Sequence, residues 1–217
     1  MADPQSDDVP IADWLGQDPS DAGEVAARYD AWAGSYDQDL QSWSYRAPAV
    51  VARTVLGRRP GTATVLDVGC GTGLVGRELR SLGFEGRLEG LDISEASLEV
   101  ARQAGGYDEL RAADLQQPLP VADDTHDAVV CVGVMTYLPD VEATWRELAR
   151  VARPDGLVVL TQREDLWEPR ACQAVVDRLQ DDGVWTLLDL SGPAPYLPEG
   201  YGGGDSVGCY YLTARAL

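Results

Sequence analysis

Residues 63–83 read ATVLDVGCGTGLVGRELRSLG: an apolar run, a turn with glycines at 69, 71 and 73, and an amphipathic stretch that stops at Gly83. Few folds accept that order. A strand passing through so tight a turn directly into a helix belongs to a strand–helix–strand unit, and such units build parallel sheets covered by helices on both faces. The rest of the chain keeps the rhythm. Strand-like runs fall at 63–68, 86–93, 107–114, 127–134, 156–162, 184–190 and 207–215. Helical periodicity fills intervals between them: TGLVGRELRSLG, SEASLEVARQAGG with Ser94 as N-cap, VEATWRELARVARPDG with Trp145, Leu148, Ala149 and Ala152 on one face and Pro154 as its stop, and LWEPRACQAVVDRLQDDG with Ala171, Val175 and Leu179 on one face. Only SGPAPYLPEGYGGGDS (191–206) separates the last two strands, so they form a hairpin-like pair and the sheet is mixed. The expectation is a Rossmann-like three-layer α/β sandwich over 21–217, a single domain. The Asp, Pro and Gln content of residues 1–20 predicts disorder there.

Charge narrows the partners. With 36 acids against 17 bases the net charge is −19, which repels nucleic-acid phosphates and anionic membranes alike. No apolar run approaches the roughly 20 residues of a membrane span, and the acidic start MADPQSDDVPIADW lacks the basic segment of a secretory leader. A cytoplasmic protein is expected. Cys70, Cys131, Cys172 and Cys209 are widely spaced, and His126 is the single histidine, so buried free thiols are expected and no metal site.

The glycine turn admits two ligands. Gly71-x-Gly73-x-x-Gly76, with Asp92 some 20 residues on, fits a dinucleotide pyrophosphate. It equally fits S-adenosylmethionine, which carries a sulfonium and an ammonium in place of phosphates. Asp67 decides between them, because a carboxylate beside the turn attracts an ammonium and repels a pyrophosphate. At ~4 Å and an effective dielectric near 20 a unit-charge pair is worth about 4 kcal/mol before desolvation. In open α/β sheets the ligand lies beyond the carboxyl ends of the strands. The cofactor set is therefore Asp67, Gly69, Cys70, Gly71 and Gly73 at strand one, Asp92 for the ribose with Ile93 beside adenine, Asp114 and Leu115 after strand three, and Cys131 and Val132 ending strand four.

Through D-x-G-x-G-x-G, the acid ending strand two and AADL after strand three, the chain resembles the class I S-adenosylmethionine-dependent methyltransferases from about residue 25 to its end. Through YDAWAGSYDQDL, YRAP, CGTGLVGREL and LGF it is most similar to the Williams–Beuren syndrome critical-region methyltransferase-like family. The resemblance implies a seven-stranded sheet with a reversed last strand and a cofactor site at the residues above. It also gives a meaning to the aromatic front end, where Tyr29, Trp32, Ala33, Tyr36 and Leu40 share a helical stripe within about 24–45. Similar N-terminal helices in such enzymes lie over the cofactor as a lid. On that reading Tyr36 and Tyr29 reach the methionine carboxylate, Gly34 sits inside the helix, and residues 20–45 order when cofactor binds.

Methyl transfer from a sulfonium is an in-line displacement whose leaving group is already activated. The enzyme then chiefly contributes positioning, on the order of 7–11 kcal/mol, with a base adding about 10²–10⁴-fold where the acceptor must lose a proton. His126 precedes strand four, at the wrong end for a base, and is expected as a solvated loop residue. Tyr137, just after strand four, is the candidate catalytic residue. Trp43, Tyr45, Met135, Tyr137, Arg163, Trp167 and Tyr196 are candidate walls of an acceptor pocket, together with the 191–206 loop. Many aromatics and few charges point to a small organic acceptor methylated on O, N or C. The same motifs also fit an S-adenosylmethionine-using enzyme of other chemistry, such as cyclisation, a non-catalytic cofactor-binding protein, or, on the glycines alone, an NAD-dependent oxidoreductase.

Overall fold

The computed structural model describes residues 21–42, 45–197 and 207–217. Its helices are α1 (Ala22–Trp32), α2 (Tyr36–Ser42), α3 (Ala47–Arg58), α4 (Leu74–Ser81), α5 (Glu95–Ala104), α6 (Val141–Val151) and α7 (Cys172–Asp181). Its strands are β1 (Thr64–Val68), β2 (Arg87–Asp92), β3 (Glu109–Ala112), β4 (His126–Cys131), β5 (Ala152–Arg163), β6 (Trp185–Leu197) and β7 (Val207–Ala216). They form one sheet in the order β3-β2-β1-β4-β5-β7-β6. The first five pair in parallel, and β7 runs antiparallel to both β5 and β6. The chain thus winds outward from β1 to β3 and then returns to β4 and β5 on the other side. That reversal opens a crevice at the carboxyl ends of β1 and β4, the usual ligand position in such sheets.

Alternate residues of each central strand feed the two faces. Leu66 and Val68 of β1 and Val158 and Leu160 of β5 pack with Trp145, Leu148, Val176 and Leu179 of α6 and α7. Val65, Leu157 and Val159 point the other way, onto Val51, Ala52 and Val55 of α3 and Val75 and Leu79 of α4. β4, central and covered on both sides, is buried at all six positions, as parallel strands between two helix layers must be. At the opposite end from the crevice, Asp127 accepts the Ala63 and Thr64 amides at 2.9 and 3.0 Å and so pins the start of β1 to β4.

The seven strands, the helices at 74–81, 95–104 and 141–151, and the reversed β7 agree with the sequence reading. Four points differ. The front end is two helices rather than one, and Gly34 lies in the turn between them. α3 was not anticipated; its Pro48 sits in the first turn, where a missing N–H costs nothing. Ala171 is the exposed, left-handed N-cap of α7 (φ 48°), so Cys172, Val175, Val176 and Leu179 form the buried face. Strand β6 extends to Leu197 through three register shifts, taking in the first part of the Gly/Pro/Tyr-rich segment. Residues 1–20, Trp43 and 198–206 lie outside the described residues.

Candidate functional site

The turn after β1 is built on left-handed glycines: Gly69, Gly71 and Gly73 have φ of 77°, 52° and 89°. The amides of Gly69 and Cys70 both donate to the Leu91 carbonyl, at 2.7 and 2.9 Å, which ties the turn to β2. Beyond its left-handed backbone, which a side chain would strain, Gly69 has no room for one, since a Cβ there would come within 2.1 Å of Val134 Cγ2. Gly71 is the opposite case: a Cβ there would meet nothing within 4 Å, so its α-carbon faces open space that a ligand can approach.

Asp92, at the end of β2, organises the next layer. One oxygen accepts the Gly71 amide at 2.7 Å and the other the Ser94 amide at 2.9 Å. Burial raises its pKa although these amides oppose the rise. Each oxygen retains a further lone pair, enough to accept from two vicinal hydroxyls. Asp114, which accepts the Gln116 amide at 2.9 Å, stands across the cleft beside Leu115.

The cleft at the sheet's carboxyl end is lined by Tyr29, Tyr36, Gly69, Gly71, Asp92, Ile93, Asp114, Leu115, Val132 and Tyr137, all singled out from the sequence. Four candidates lie elsewhere. Cys131 is fully buried in the core, and Cys70 is turned toward β2, where its Sγ would meet a Cβ on Gly90 at 2.8 Å. Gly73 packs on Tyr107 and Ala101. Asp67 is wholly buried in β1, below the turn. There its Oδ2 accepts the Tyr107 hydroxyl at 2.6 Å, while Oδ1 has no hydrogen-bond partner. Desolvation lifts the Asp67 pKa to about 7, against the lowering effect of that hydroxyl.

An aromatic cap covers the cleft. α1 is docked through Asp30, which accepts the Ser94 hydroxyl at 2.6 Å and the Ala96 amide at 3.2 Å. α2 is docked through Asp37, which receives Thr72 Oγ1 and Arg77 Nη2, each at 2.5 Å. Tyr29 donates its hydroxyl to that of Tyr137 at 2.9 Å, and their rings meet edge to face. Nearby, the Tyr45 and Tyr196 hydroxyls lie 3.2 Å apart over Gly133, where a Cβ would come within 2.9 and 3.0 Å of them. Burial pushes the phenols of Tyr29, Tyr36, Tyr45 and Tyr196 up, so at neutral pH these groups are protonated hydrogen-bond partners and not bases.

The remaining candidates sort differently. Met135 and Trp167 belong to the core: Met135 is buried in the short turn after β4, and Trp167, beyond the end of β5, has its ring centroid 4.3 Å from that of Tyr210. Arg163 is bound in a fork by Asp165, at 3.0 and 2.6 Å. His126 is buried rather than solvated, as the first residue of β4 packed beside Glu89 and Thr125; desolvation lowers its pKa, and it sits at the end of the sheet away from the cleft. All four cysteines are buried free thiols, as expected.

The sequence reading missed cleft residues Ala22, Val25, Gln116 and Leu138; Gly133 and Val134, which also line it, directly follow the strand-four end that the reading placed there. Val25, one helical turn before Tyr29, was within reach of the stripe argument. Tyr107 carried no local signal, since its role depends on three glycines brought together only by folding.

Comparison with known proteins bears on the family and the fold. Residues 66–160 match a family model described as a methyltransferase domain. The human methyltransferase-like protein 27 is 41% identical over 167 residues, covering 74% of this chain and 67% of that protein. Among solved structures, a methyltransferase partner of the Haloferax volcanii Trm112 activator matches with a TM-score of 0.66 and 22% identity, over 88% of this chain and 97% of that one. The [4+2]-cyclase SpnF matches with 0.67 and 18%, over 91% and 98%. At those identities the two structures attest the fold alone. The sequence match to the human protein carries the family, and the chain belongs to the S-adenosylmethionine-dependent methyltransferases.

Proposed function

We propose that the protein methylates a small organic acceptor on O, N or C, in an enclosed site beneath α1 and α2. The observation that supports this reading is the cap itself. Tyr29 and Tyr36 close over the same cleft that Gly71, Asp92 and Asp114 line, which leaves little access for a folded macromolecule. The described residues fit the cofactor. The α-carbon of Gly71 is open to approach, Asp92 keeps acceptor capacity for two ribose hydroxyls, Ile93 and Leu115 flank an adenine position, and Asp67, beneath the turn and outside the cleft lining, sets an acid with one unpartnered oxygen under a bound ammonium. Bound there, S-adenosylmethionine supplies an activated methyl group. The chain's part is to hold and enclose: Asp92 and Asp114 orient, the cap excludes water, and Tyr137 with its Tyr29 partner positions the acceptor. With the Tyr29, Tyr36, Tyr45 and Tyr196 phenols held protonated, the acceptor's own nucleophile supplies the reactivity.

A second reading keeps the cofactor and changes the reaction, as the resemblance to a cyclase fold allows. Incubation with methyl-labelled S-adenosylmethionine and fractionated cell extract separates these. Label in the small-molecule fraction supports the proposal. Label in protein or nucleic acid overturns the acceptor class, and cofactor binding with no transfer to any fraction favours the second reading. A cytoplasmic setting belongs to the same proposal; no described helix is long and apolar enough to cross a membrane.

A further inference from the structure

We infer that Tyr107 is a positioning residue of the cofactor site, fixing the Asp67 carboxylate and the first turn of α4 through one hydroxyl. The inference rests on the cofactor reading above and goes beyond it by assigning a role to a side chain outside the cleft.

The geometry is a closed relay. The Tyr107 hydroxyl accepts the Gly76 amide at 3.1 Å and donates to Asp67 Oδ2 at 2.6 Å. The Gly76 N–H is one of the amides that a helix start leaves without an internal partner. A pyrophosphate ligand would draw on such amides, but here one is directed to a phenol under the turn. The ring is boxed by absent side chains: a Cβ on Gly76, Gly90 or Gly73 would come within 2.4, 3.1 or 3.1 Å of it. The third glycine of Gly71-x-Gly73-x-x-Gly76 is therefore a socket for Tyr107. Its place in a dinucleotide-type fingerprint comes from packing, not from phosphate contact.

The relay leaves Asp67 with one engaged oxygen and one unengaged. The ionisable groups acting on it are Tyr107 from the loop before β3 and Asp92 from β2, with the neutral thiols of Cys70 on the turn and Cys131 on β4. Asp92 opposes its ionisation, Tyr107 favours it, and burial is the dominant opposing effect. With its midpoint near 7, the acid is poised where a lost hydrogen bond changes its charge. A cation recognises the carboxylate and not the acid. Affinity for an ammonium-bearing ligand therefore rises with pH up to the midpoint of the free protein and is flat above it. Removing the phenol hydroxyl moves that midpoint upward, and each unit of movement weakens binding about tenfold at pH values below it.

The test is calorimetric titration of the full chain with S-adenosylhomocysteine between about pH 6 and about pH 8.5, on wild type, Tyr107→Phe and Asp67→Asn. The Phe variant keeps the ring in its socket and removes only the hydroxyl. The expected result, for a midpoint raised by about one unit, is wild-type affinity that improves through neutral pH, a Phe variant weaker by about tenfold near pH 6 and about fivefold at pH 7 that converges with wild type at the alkaline end, and an Asn variant that is weak and independent of pH. A Phe variant equal to wild type, or weaker by one constant factor at every pH, overturns the inference, because a purely structural hydroxyl gives that pattern. Should the Phe variant not fold, the Asn variant decides: a wild-type slope in it overturns the inference, and a flat profile upholds the Asp67 titration on which it depends. Wild type that binds no S-adenosylhomocysteine at any pH overturns the cofactor reading instead.

Discussion

Gly76→Ala sets helix propensity against packing. Gly76 lies inside α4 with ordinary helical backbone, so alanine gains about 1 kcal/mol of intrinsic propensity. Against this, the new Cβ falls 2.4, 2.5 and 2.7 Å from Cε2, Cζ and the hydroxyl of Tyr107. The ring cannot slide within its box, because Gly73 and Gly90 hold it from two other sides. It must swing outward and give up its bonds to the Gly76 amide and to Asp67. Overpacking a formed site costs about 1–3 kcal/mol. Leaving a buried carboxylate without its donor costs about 1–3 kcal/mol more. The net expectation is a destabilisation of about 1–5 kcal/mol, or roughly 2–20 °C in Tm for a domain of this size. Calorimetric melting of the ligand-free protein measures it. In a Tyr107→Ala background the obstacle is gone, and the same Gly76→Ala change should recover about 1 kcal/mol. A single variant that melts at or above wild type would refute the packing argument, because propensity alone would then have decided the outcome.

Three further outcomes are expected. Asp30→Ala removes the acceptor that docks α1 onto Ser94 and Ala96, so amides of 22–32 should exchange faster by mass spectrometry while β1 and β4 keep their protection; unchanged exchange in α1 would show the cap is held by apolar contacts alone. Asp92→Asn retains the shape but loses the charge offered to the ribose, and S-adenosylhomocysteine affinity should fall by about 1.5–3 kcal/mol, roughly 10–100-fold, in calorimetric titration. Asp127→Ala strands the Ala63 and Thr64 amides and should cost about 2 kcal/mol in urea unfolding at neutral pH. Although burial opposes it, the net effect of those amides, the Thr64 hydroxyl and Arg153 is to hold this acid below its ordinary value, so its contribution is full above the unfolded pKa. It is lost as the solution is acidified through the lower folded value, and the gap between variant and wild type should close there.

The architecture was legible because it rests on local signals that folding does not alter. Alternating apolar runs place the strands, Ser94 caps α5, and the Gly/Pro-rich sequence at 191–206, without helical periodicity, leaves β6 and β7 to pair antiparallel. Much of the cleft was legible for the same reason: in this topology the carboxyl end of a strand is a fixed place, so Asp92, Asp114 and Val132 converge there. What was not legible depends on which way a side chain turns after its strand ends. Val132 and Tyr137 line the cleft while Cys131 and Met135, equally close in sequence, enter the core. The glycines show the same limit at a finer scale. Gly71 faces open space, Gly69 is pressed against Val134, and Gly76 admits Tyr107, three physical demands met by one residue type. A glycine fingerprint thus reports that backbone must come close to something, and only the fold says whether that something is a ligand, a valine or a tyrosine. The sign argument from Asp67 faces the same condition. The carboxylate lies beneath the turn with one oxygen on Tyr107, so its preference for a cation operates through a buried acid whose charge the protein itself controls.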